Sequence, residues 1–387
     1  MDSGTSRPID EASLIAWTQR FVRYPSPQTE LFEQEPQVQN FITECVWPLL
    51  REIGLPARRD PMGNLIVETG PEGTDRSLIF MAYAMTHPAS RMHSPYGGEL
   101  VRDAAGDWVR GRGISEQKGA LAAALAAVKT AVSVGPLKGR LIFTVSTAGE
   151  TGRHDAAKSI IESLGFTPRR GIIVIGTTGR IALANKGRVD VVVKVRGKAA
   201  HSSTPWAGVN AIEGARRVLD RVMAIDVAGT RHPGLETATL TSTSIRSWPE
   251  ATHTVQDEVQ LVFDRRLLPG DDPHAAYQAI ASSANIGEPW QVTTEFGPFM
   301  YPAEIAADGD LMRAITAGCR RRKMAEPKTF YCHGALDAGY LRVNGCEATM
   351  WGPGDMSQWH SDDERIAVRD LVDGAYGYLG LIEEYLT

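Results

Sequence analysis

Glu116 is the acidic residue whose sequence setting best suits metal binding, within the stretch GRGISEQKG at residues 111–119. A Gly-rich polar segment precedes this stretch, and the Ala/Leu-rich run 120–128 that follows it predicts a buried helix. Glu116 would then lie at the start of that helix, where exposed backbone N–H groups favour negative charge. We therefore predict that Glu116 can bind a metal ion.

A second candidate segment, TAGETGR at residues 147–153, follows the apolar run 139–146, which predicts a buried strand. In α/β proteins the chemistry lies at the carboxyl ends of the strands. The segment places Glu150 at such an end. The next predicted strand, 171–176, ends in the small polar residues Thr177, Thr178 and Gly179.

The elements that must position these residues alternate between strand and helix up to residue 187. This order predicts a mostly parallel sheet covered by helices on both faces. The predicted strands are 64–68, 77–83, 139–146 and 171–176, and the predicted helices are 10–22, 36–53, 120–128 and 156–164.

The pattern changes after residue 187, where alternating strands and two helices predict a small α+β insert with an open-faced antiparallel sheet. Its strands are 189–197, 235–246, 258–266 and 291–296, and its helices are 210–225 and 272–283. A helix at 311–319 and a strand at 348–351 then return to the first domain. We predict a catalytic domain at 1–187 and 299–387, interrupted by a second domain at 188–298.

Composition excludes several classes of protein. A chain of 387 residues is too long for one ordinary core, which agrees with two domains. The net charge is -5, from 41 Lys and Arg against 46 Asp and Glu, and predicts neither nucleic acid nor a membrane as a partner. Four cysteines without CxxC spacing suit a reducing cytoplasm and argue against a thiolate zinc site. The polar start is not typical of a signal peptide, and no apolar run approaches the roughly 18 residues that span a bilayer, so we expect a cytoplasmic protein.

Four motifs in order resemble the aminoacylase, carboxypeptidase G and succinyl-diaminopimelate desuccinylase family of two-metal peptidases and amidohydrolases. They are GRGISEQKG, STAGETG, VRGKAAHSSTPWAGVNAI, and WGPG followed by WHSDDE. The resemblance extends from about residue 77 to residue 364, and residues 197–212 are its most specific part. It implies a zinc-peptidase-like α/β/α catalytic domain with an inserted ferredoxin-like lid that dimerises, and hence a homodimer or a larger homo-oligomer. The domain interruption predicted above agrees with this independently.

The sequence departs from the family pattern at most of the metal positions. Family members usually carry His-x-Asp on the strand where this chain has Tyr83 and Met85, and an aspartate where it has Glu116. The two adjacent glutamates of the family, a general base and then a ligand, correspond to Gly149 and Glu150. The acidic residue after the next strand is replaced by Gly176 or Thr177, whereas the last ligand histidine is retained as His360.

Sorted by metal site, these departures predict a centre for one ion. One family site has lost its histidine and its acidic residue and is expected to be empty. The other retains Glu116, Glu150 and His360, which form a three-ligand set with open positions for water and substrate. We expect one divalent ion per chain, namely manganese, zinc or cobalt, because two carboxylates and an imidazole suit these metals.

The general base is the main open question, because glycine at position 149 cannot accept a proton. A replacement must lie within about 3 Å of the attacking water, directly or through one further water. Tyr83, His87, His154 and Glu364 are near the relevant motifs. We take Tyr83 and His87 as catalytic candidates, although a tyrosine at the end of an apolar strand commonly belongs to the core.

Four residues of the inserted domain are further candidates from the resemblance. His201 corresponds to a histidine that reaches across the dimer to polarise the scissile group, and we assign it a catalytic role. Arg266 corresponds to an arginine near the substrate carboxylate, although a solvent-exposed charge at a strand end is equally consistent with its position. His253 stands where the family has an asparagine, and Asn210 either contacts substrate or caps the following helix.

We therefore predict a metal-dependent hydrolase that cleaves a C–N bond in a small carboxylate-bearing substrate. A branch of the family, with nitroanthranilate aminohydrolase as its example, replaces an aromatic amino group by hydroxyl, and a single metal with altered ligands fits this reaction on a substrate such as 5-nitroanthranilate. The alternatives are an amidohydrolase or peptidase acting on N-acyl amino acids and a metal-free relative that serves as a binding protein.

Overall fold

The computed structural model describes residues 8–73, 75–149 and 152–387. The chain divides into two compact units. The first comprises the residues up to Leu183 together with Glu304–Tyr331 and Asp337–Thr387, and the second comprises Ala184–Ala303 and Cys332–Leu336. The short return of Cys332–Leu336 to the second unit has no signal in the sequence pattern.

The helices follow the predicted apolar periodicity, with several additions. They are α1 (Glu11–Val22), α2 (Pro36–Asn40), α3 (Trp47–Glu52), α4 (Gly119–Val134), α5 (Asp155–Leu164), α6 (Ala211–Met223), α7 (Pro273–Ala284), α8 (Asp310–Arg321), α9 (Ala338–Val343) and α10 (Val368–Leu386). The helix predicted at 36–53 is interrupted between α2 and α3 by a wide π-helical stretch, Phe41–Val46.

The strands form two principal sheets and several short ribbons. They are β1 (Ala57–Arg59), β2 (Leu65–Thr69), β3 (Ser77–Tyr83), β4 (Glu99–Asp103), β5 (Gly106–Arg110), β6 (Arg140–Ser146), β7 (Arg170–Val174), β8 (Ile181–Asn185), β9 (Gly187–Arg196), β10 (Ala200–His201), β11 (Arg231–His232), β12 (Glu236–Thr237), β13 (Thr239–Trp248), β14 (Thr254–Val255), β15 (Glu258–Leu267), β16 (Gln291–Met300), β17 (Ala303–Glu304), β18 (Thr329–Cys332), β19 (Glu347–Trp351) and β20 (Arg365–Ala367).

The main sheet of the first unit has the order β1-β2-β6-β3-β7-β19. Strands β6, β3, β7 and β19 are parallel, whereas β1 and β2 are antiparallel additions at one edge. Phe80 of β3 pairs with Phe143 of β6 and with Ile172 of β7. Every residue of β3 is buried, as expected for a central strand covered on both faces. The carboxyl ends of β3, β6 and β7 therefore lie side by side.

Helices α4 and α10 pack against each other and against β3 and β6, and α8 packs on α10. Helix α4 is rich in alanine, and its small side chains leave room for close packing on both sides. The backbones of α8 and α10 approach closely at Gly318 and Gly380, where a Cβ on Gly318 would lie 2.4 Å from the carbonyl carbon of Gly380. Larger residues at this crossing would push the two helices apart.

The second unit has the four-stranded antiparallel sheet β13-β15-β9-β16. With α6 and α7 the chain order is strand, helix, strand, strand, helix, strand, which is that of a ferredoxin-like fold. Burial alternates strictly along β9, so one face of the sheet packs on the helices. The strand predicted at 235–246 begins at Thr239, because β12 instead pairs with β11.

The elements that were not predicted include α9, α10, β1, the β4–β5 hairpin, which pairs with β20, and the small sheet β17-β8-β18. Among the described residues, none of the helices is both long enough and apolar enough to cross a membrane.

Candidate active site

Glu116 and His360 form the central pair of the candidate site. His360 Nε2 lies 3.3 Å from Glu116 Oε1. Glu116 is only 1% exposed, whereas the side chain of His360 is 49% exposed. His360 has a φ of 60°, a left-handed conformation that is uncommon for residues other than glycine and that is often found at functional sites. The structure thus brings together two predicted metal ligands that are separated by more than half of the sequence.

The position of Glu116 is fixed by a wide π-helical turn, Ile114–Lys118, which leads into α4. Gly113 precedes this turn with a φ of 75°, which glycine adopts readily. A Cβ on Gly176 would lie 1.9 Å from the carbonyl oxygen of Ser115, and a Cβ on Gly354 would lie 2.0 Å from the same atom. The N–H of Gly176 also donates to the carbonyl of Glu116 at 2.7 Å. The turn is therefore held between two close backbone approaches.

Glu364 caps this turn. Its carboxylate accepts hydrogen bonds from the N–H groups of Gly113 at 2.8 Å, Ser115 at 2.9 Å and Glu116 at 3.3 Å, and from Arg112 Nη1 at 3.0 Å. The Arg112 and Glu364 side chains are completely buried. Burial raises the pKa of Glu364, and the N–H of Gly113 and the Arg112 charge oppose this shift.

This corrects one expectation from the sequence. The N–H groups of Gly113, Ser115 and Glu116 at the start of the turn donate to the carboxylate of Glu364, which supplies the negative charge that we expected from Glu116. Glu364 was also considered as a replacement base. Its four hydrogen bonds identify it as a structural cap of the helix terminus.

A second hydrogen-bonded group lies at the carboxyl end of β3. The Tyr83 hydroxyl donates to Asp337 Oδ2 at 2.9 Å, and Asp337 Oδ1 lies 2.7 Å from His154 Nδ1. Tyr83 is fully buried, and Asp337 and His154 are 1% and 7% exposed. Sequence reasoning missed Asp337, which lies in an unremarkable loop before α9. The signal was weak, because a single aspartate has no periodicity to reveal its partners.

Gly149 packs directly against the ring of Tyr83. A Cβ at position 149 would lie 2.2 Å from Tyr83 Cε1 and 2.4 Å from its Cδ1. The place where the resemblance puts a catalytic glutamate is therefore incompatible with the tyrosine ring in its observed position. Gly149 and Tyr83 are two separate departures in the sequence. In the structure they depend on each other, because the ring of Tyr83 occupies the space that a side chain at position 149 would need.

His87 stacks on His360, with ring centroids 4.0 Å apart and an angle of 20° between the rings. His87 Nδ1 lies 3.0 Å from the carbonyl oxygen of Pro88. Partial burial lowers the pKa of His87, and the neighbouring His360 lowers it further, so the neutral ring is favoured. Of the two catalytic candidates in the first unit, the structure thus places His87 beside the Glu116–His360 pair.

Lys118 is the last residue of the π-helical turn, and its side chain is fully buried. Its ammonium group donates to the carbonyls of Phe21 at 3.0 Å and Tyr24 at 2.6 Å and lies 4.5 Å from the ring centroid of Phe41. Burial lowers the pKa of Lys118 to about 7. These contacts join α1 to the start of α4.

The third predicted ligand, Glu150, lies outside the described residues. Within the ranges 8–73, 75–149 and 152–387, three or more His, Cys, Asp or Glu side chains do not converge on a common metal position. The prediction of Glu150 as a ligand therefore remains a prediction.

The four candidates of the second unit make local contacts. His201 Nδ1 lies 2.7 Å from Ser203 Oγ, and the rings of His201 and His253 are 6.0 Å apart. Asn210 caps α6, with its Oδ1 accepting from the N–H of Ile212 at 2.9 Å. Arg266 forms a bidentate ion pair with Asp264, in which Nε donates to Oδ1 at 2.8 Å and Nη2 donates to Oδ2 at 3.0 Å. The roles of these residues in substrate binding remain predictions.

The family model for Peptidase family M20/M25/M40 matches residues 88–384. The chain belongs to this family. Succinyl-diaminopimelate desuccinylase of Cereibacter sphaeroides is 23% identical over 402 residues, covering 98% of this chain and 100% of the relative. Acetylornithine deacetylase of Vibrio cholerae is 28% identical over 236 residues, which cover 58% of this chain and 60% of the relative.

Among solved structures, an M20 family metallo-carboxypeptidase from Sulfolobus solfataricus superposes with a TM-score of 0.77 at 15% identity, covering 100% of this chain and 99% of the other. The predicted M20-type fold, a catalytic domain with an inserted lid, is confirmed. The prediction of a hydrolase that acts on C–N bonds is confirmed as well, through membership of the family.

Divalent metal ions such as zinc are general in the M20 family, so the residues at each family position can be tested for their fit to an ion. At one site they do not fit. Tyr83 donates to Asp337, Gly176 has no side chain, and Thr177 Oγ1 lies 2.5 Å from the Arg180 carbonyl and accepts from the N–H of Gly352. At the other site the carboxylate of Glu116 and the imidazole of His360 are already 3.3 Å apart, which suits two ligands of one ion.

Proposed function

We propose that this M20 family member hydrolyses a C–N bond at a single divalent metal ion held by Glu116, His360 and Glu150. The observation that carries this proposal is the proximity of the buried Glu116 carboxylate to the exposed imidazole of His360. A buried carboxylate facing an open histidine gives a ligand set that is anchored on one side and accessible to substrate on the other. Manganese, zinc and cobalt all suit two carboxylates and one imidazole.

An ion at this position supplies a Lewis acid and makes a water molecule a stronger nucleophile near neutral pH. The residues of the chain supply the remaining parts. His87, stacked on His360 and favoured as a neutral ring, can accept a proton near the centre. We assign His201 to polarisation of the scissile group, and Arg266 with His253 and Asn210 to the substrate carboxylate and its surroundings.

We propose an aromatic amine such as 5-nitroanthranilate as the substrate. Water adds to the ring carbon that bears the amino group, the C–N bond breaks, and the products are the hydroxy acid and ammonia. This substrate is supported by the steric exclusion of any side chain at Gly149, where a base would stand. An electron-poor ring stabilises the addition intermediate itself, so the reaction depends less on a strong base than amide hydrolysis does.

The second candidate is hydrolysis of an N-acyl amino acid, and the comparisons favour it. The relatives named succinyl-diaminopimelate desuccinylase and acetylornithine deacetylase both act on acylated amino compounds. In this case the same residues would hold the ion, and His87 would have to provide the whole of the base function.

A metal titration followed by a substrate screen tests the proposal. Purified protein is loaded with manganese, and metal content per chain is measured for the wild type, Glu116→Ala and His360→Ala. His93→Ala, which changes an exposed histidine in the same unit, is the matched control. One equivalent in the wild type and the control, and none in the two ligand variants, is expected.

The loaded enzyme is then offered aminobenzoates and N-acyl amino acids. Ammonia release from an aminobenzoate supports the first candidate, and release of a free amino acid supports the second. Absence of metal binding under all loading conditions would refute the hydrolytic mechanism and favour a metal-free binding protein.

We further propose that the protein is a homodimer or a larger homo-oligomer, since the assigned role of His201 requires a second subunit. Sedimentation equilibrium gives the molar mass directly, and a monomer at all concentrations would contradict this role of His201.

A further inference from the structure

We propose that Tyr83, Asp337 and His154 form a brace that occupies the place of the second metal ion, and that Asp337 and His154 are positioning residues for the remaining metal centre. The inference rests on the proposed function, because it concerns the ion held by Glu116, His360 and Glu150. The name brace refers here to these three side chains and their two hydrogen bonds.

The brace joins three segments that are distant in sequence. Tyr83 is the last residue of β3, His154 directly precedes α5, and Asp337 directly precedes α9. The two links, 2.9 Å and 2.7 Å, use both oxygens of one carboxylate. Burying three polar groups is costly unless they are hydrogen-bonded to each other, so a satisfied network of this kind fixes one arrangement of the segments.

A second ion would hold the same strand ends together by ligation, and here its ligand positions are taken up by other contacts. Tyr83, at the histidine position, donates to Asp337, and a Cβ at Gly176, at the acidic position, would lie 1.9 Å from the carbonyl oxygen of Ser115. At the position of the general base, a Cβ on Gly149 would meet the ring of Tyr83. Gly149 follows β6 and Gly176 follows β7, and these two strands flank β3 in the sheet. The second site has thus lost its ligands and also the space for an acidic side chain at position 176.

The brace also anchors the segment that carries Glu150. At the start of that segment, Asn64 Oδ1 accepts from Thr147 N at 2.7 Å and lies 2.9 Å from Thr147 Oγ1. At its end, His154 is bound to Asp337. Glu150 lies between Thr147 and His154 in the sequence, and each of these two residues is hydrogen-bonded to a distant part of the unit. Loss of the His154–Asp337 link removes one of these two attachments, and this is the proposed route from the brace to the metal centre.

Asp337→Asn and His154→Gln test the positioning role. Asp155→Asn is the matched control, because the side chain of this neighbour of His154 is 46% exposed and pairs with Arg153 at 3.5 Å. Manganese affinity is measured by calorimetry. Both brace variants are expected to bind manganese about 10- to 100-fold more weakly, as is typical when a group that orients metal ligands is removed. The control is expected to bind like the wild type. Wild-type affinity in both brace variants would overturn the proposal.

A second measurement does not depend on metal. Hydrogen exchange of residues 147–154 in the apoprotein is expected to be at least tenfold faster in Asp337→Asn than in the wild type or in Asp155→Asn. Unchanged exchange would overturn the brace even in a protein that binds metal. If the wild type binds no metal but the exchange rises as expected, the brace stands and the proposed function fails.

The double variant Tyr83→His/Gly149→Glu tests the closure of the second site. It restores two residues of the family pattern but leaves Gly176 against Ser115. We expect one equivalent of manganese, as in the wild type. Two equivalents would overturn the closure of the second site.

Discussion

The buried pair of Arg112 and Glu364 offers the sharpest test of how the site is held. Replacement of Glu364 by alanine removes the acceptor of three backbone N–H groups and of one guanidinium N–H. It also leaves the charge of Arg112 buried, with Nη2 still donating to the carbonyl of Ala89 at 3.2 Å. We expect a large loss of stability together with loss of the metal centre, because Glu116 lies in the turn that Glu364 caps.

The magnitude follows from the contacts. Four hydrogen bonds to a charged acceptor, at about 1.5 kcal/mol or more each, would sum to at least about 6 kcal/mol if they were additive. Such bonds share one acceptor and are not additive, and removal of one partner of a buried ion pair typically costs about 3–5 kcal/mol. We therefore expect a loss of about 4 kcal/mol in the free energy of unfolding. At about 2–4 °C per kcal/mol this lowers the melting temperature by roughly 8–16 °C.

Thermal and urea unfolding monitored by circular dichroism measure this loss. Asp363→Ala is the matched control, since the neighbouring carboxylate is 66% exposed and forms a surface pair with Arg110 at 3.2 Å. That variant should differ from the wild type by no more than about 1 kcal/mol. If Glu364→Ala is as stable as Asp363→Ala, the carboxylate does not hold the turn, and our reasoning about the position of Glu116 is wrong.

Three further predictions concern the same unit. Gly176→Ala should lower the free energy of unfolding by about 2–3 kcal/mol, because the new Cβ meets the backbone carbonyl of Ser115, whereas Gly73→Ala, with open space around it, should be nearly neutral in the same urea titration. Lys118→Met should cost about 1–3 kcal/mol, because it leaves the buried carbonyls of Phe21 and Tyr24 without their ammonium donor; equal melting temperatures of variant and wild type would contradict this. Burial raises the pKa of Cys45 and Cys319 to about 11, so the folded protein binds these protons more tightly than the unfolded chain does, and the free energy of unfolding should fall as the pH rises from about 9 to about 11. At pH 8 a thiol reagent should label these two residues only after unfolding, and rapid labelling of the native protein would be inconsistent with their burial.

Much of the fold was accessible from the sequence because its signals are local. The apolar run of β3 and the alanine-rich run of α4 indicate buried elements, whatever the rest of the sequence is. Apart from α10, a helix of 19 residues, the missed elements such as β4, β5 and α9 have weaker signals. Strand β4 is exposed throughout and β5 is only partly buried, and α9 is six residues long, so these elements have no clear apolar periodicity.

The candidate site was accessible only in part. Glu116 and His360 were identified through motifs, and the structure places them 3.3 Å apart. The hydrogen-bonded role of Tyr83 and the existence of Asp337 as its partner could not be predicted, because residues 83 and 337 are brought together only when β3 and α9 pack in the same unit. The capping role of Glu364 could not be predicted either, because Glu364 and the turn that it caps are about 250 residues apart in the sequence.

The sequence by itself determined the two-domain plan, the family, and the list of family positions where this chain differs, since each of these depends on the order and type of neighbouring residues. Only the tertiary structure decided what those differences mean. It shows that the ring of Tyr83 occupies the space that a side chain at position 149 would need, and that the backbone around position 176 leaves no room for a side chain. It also shows that the carboxylate of Glu364 neutralises the helix terminus near Glu116. The physical reason is that steric exclusion and hydrogen bonding depend on distances of 2–4 Å between groups that the sequence separates by tens or hundreds of residues.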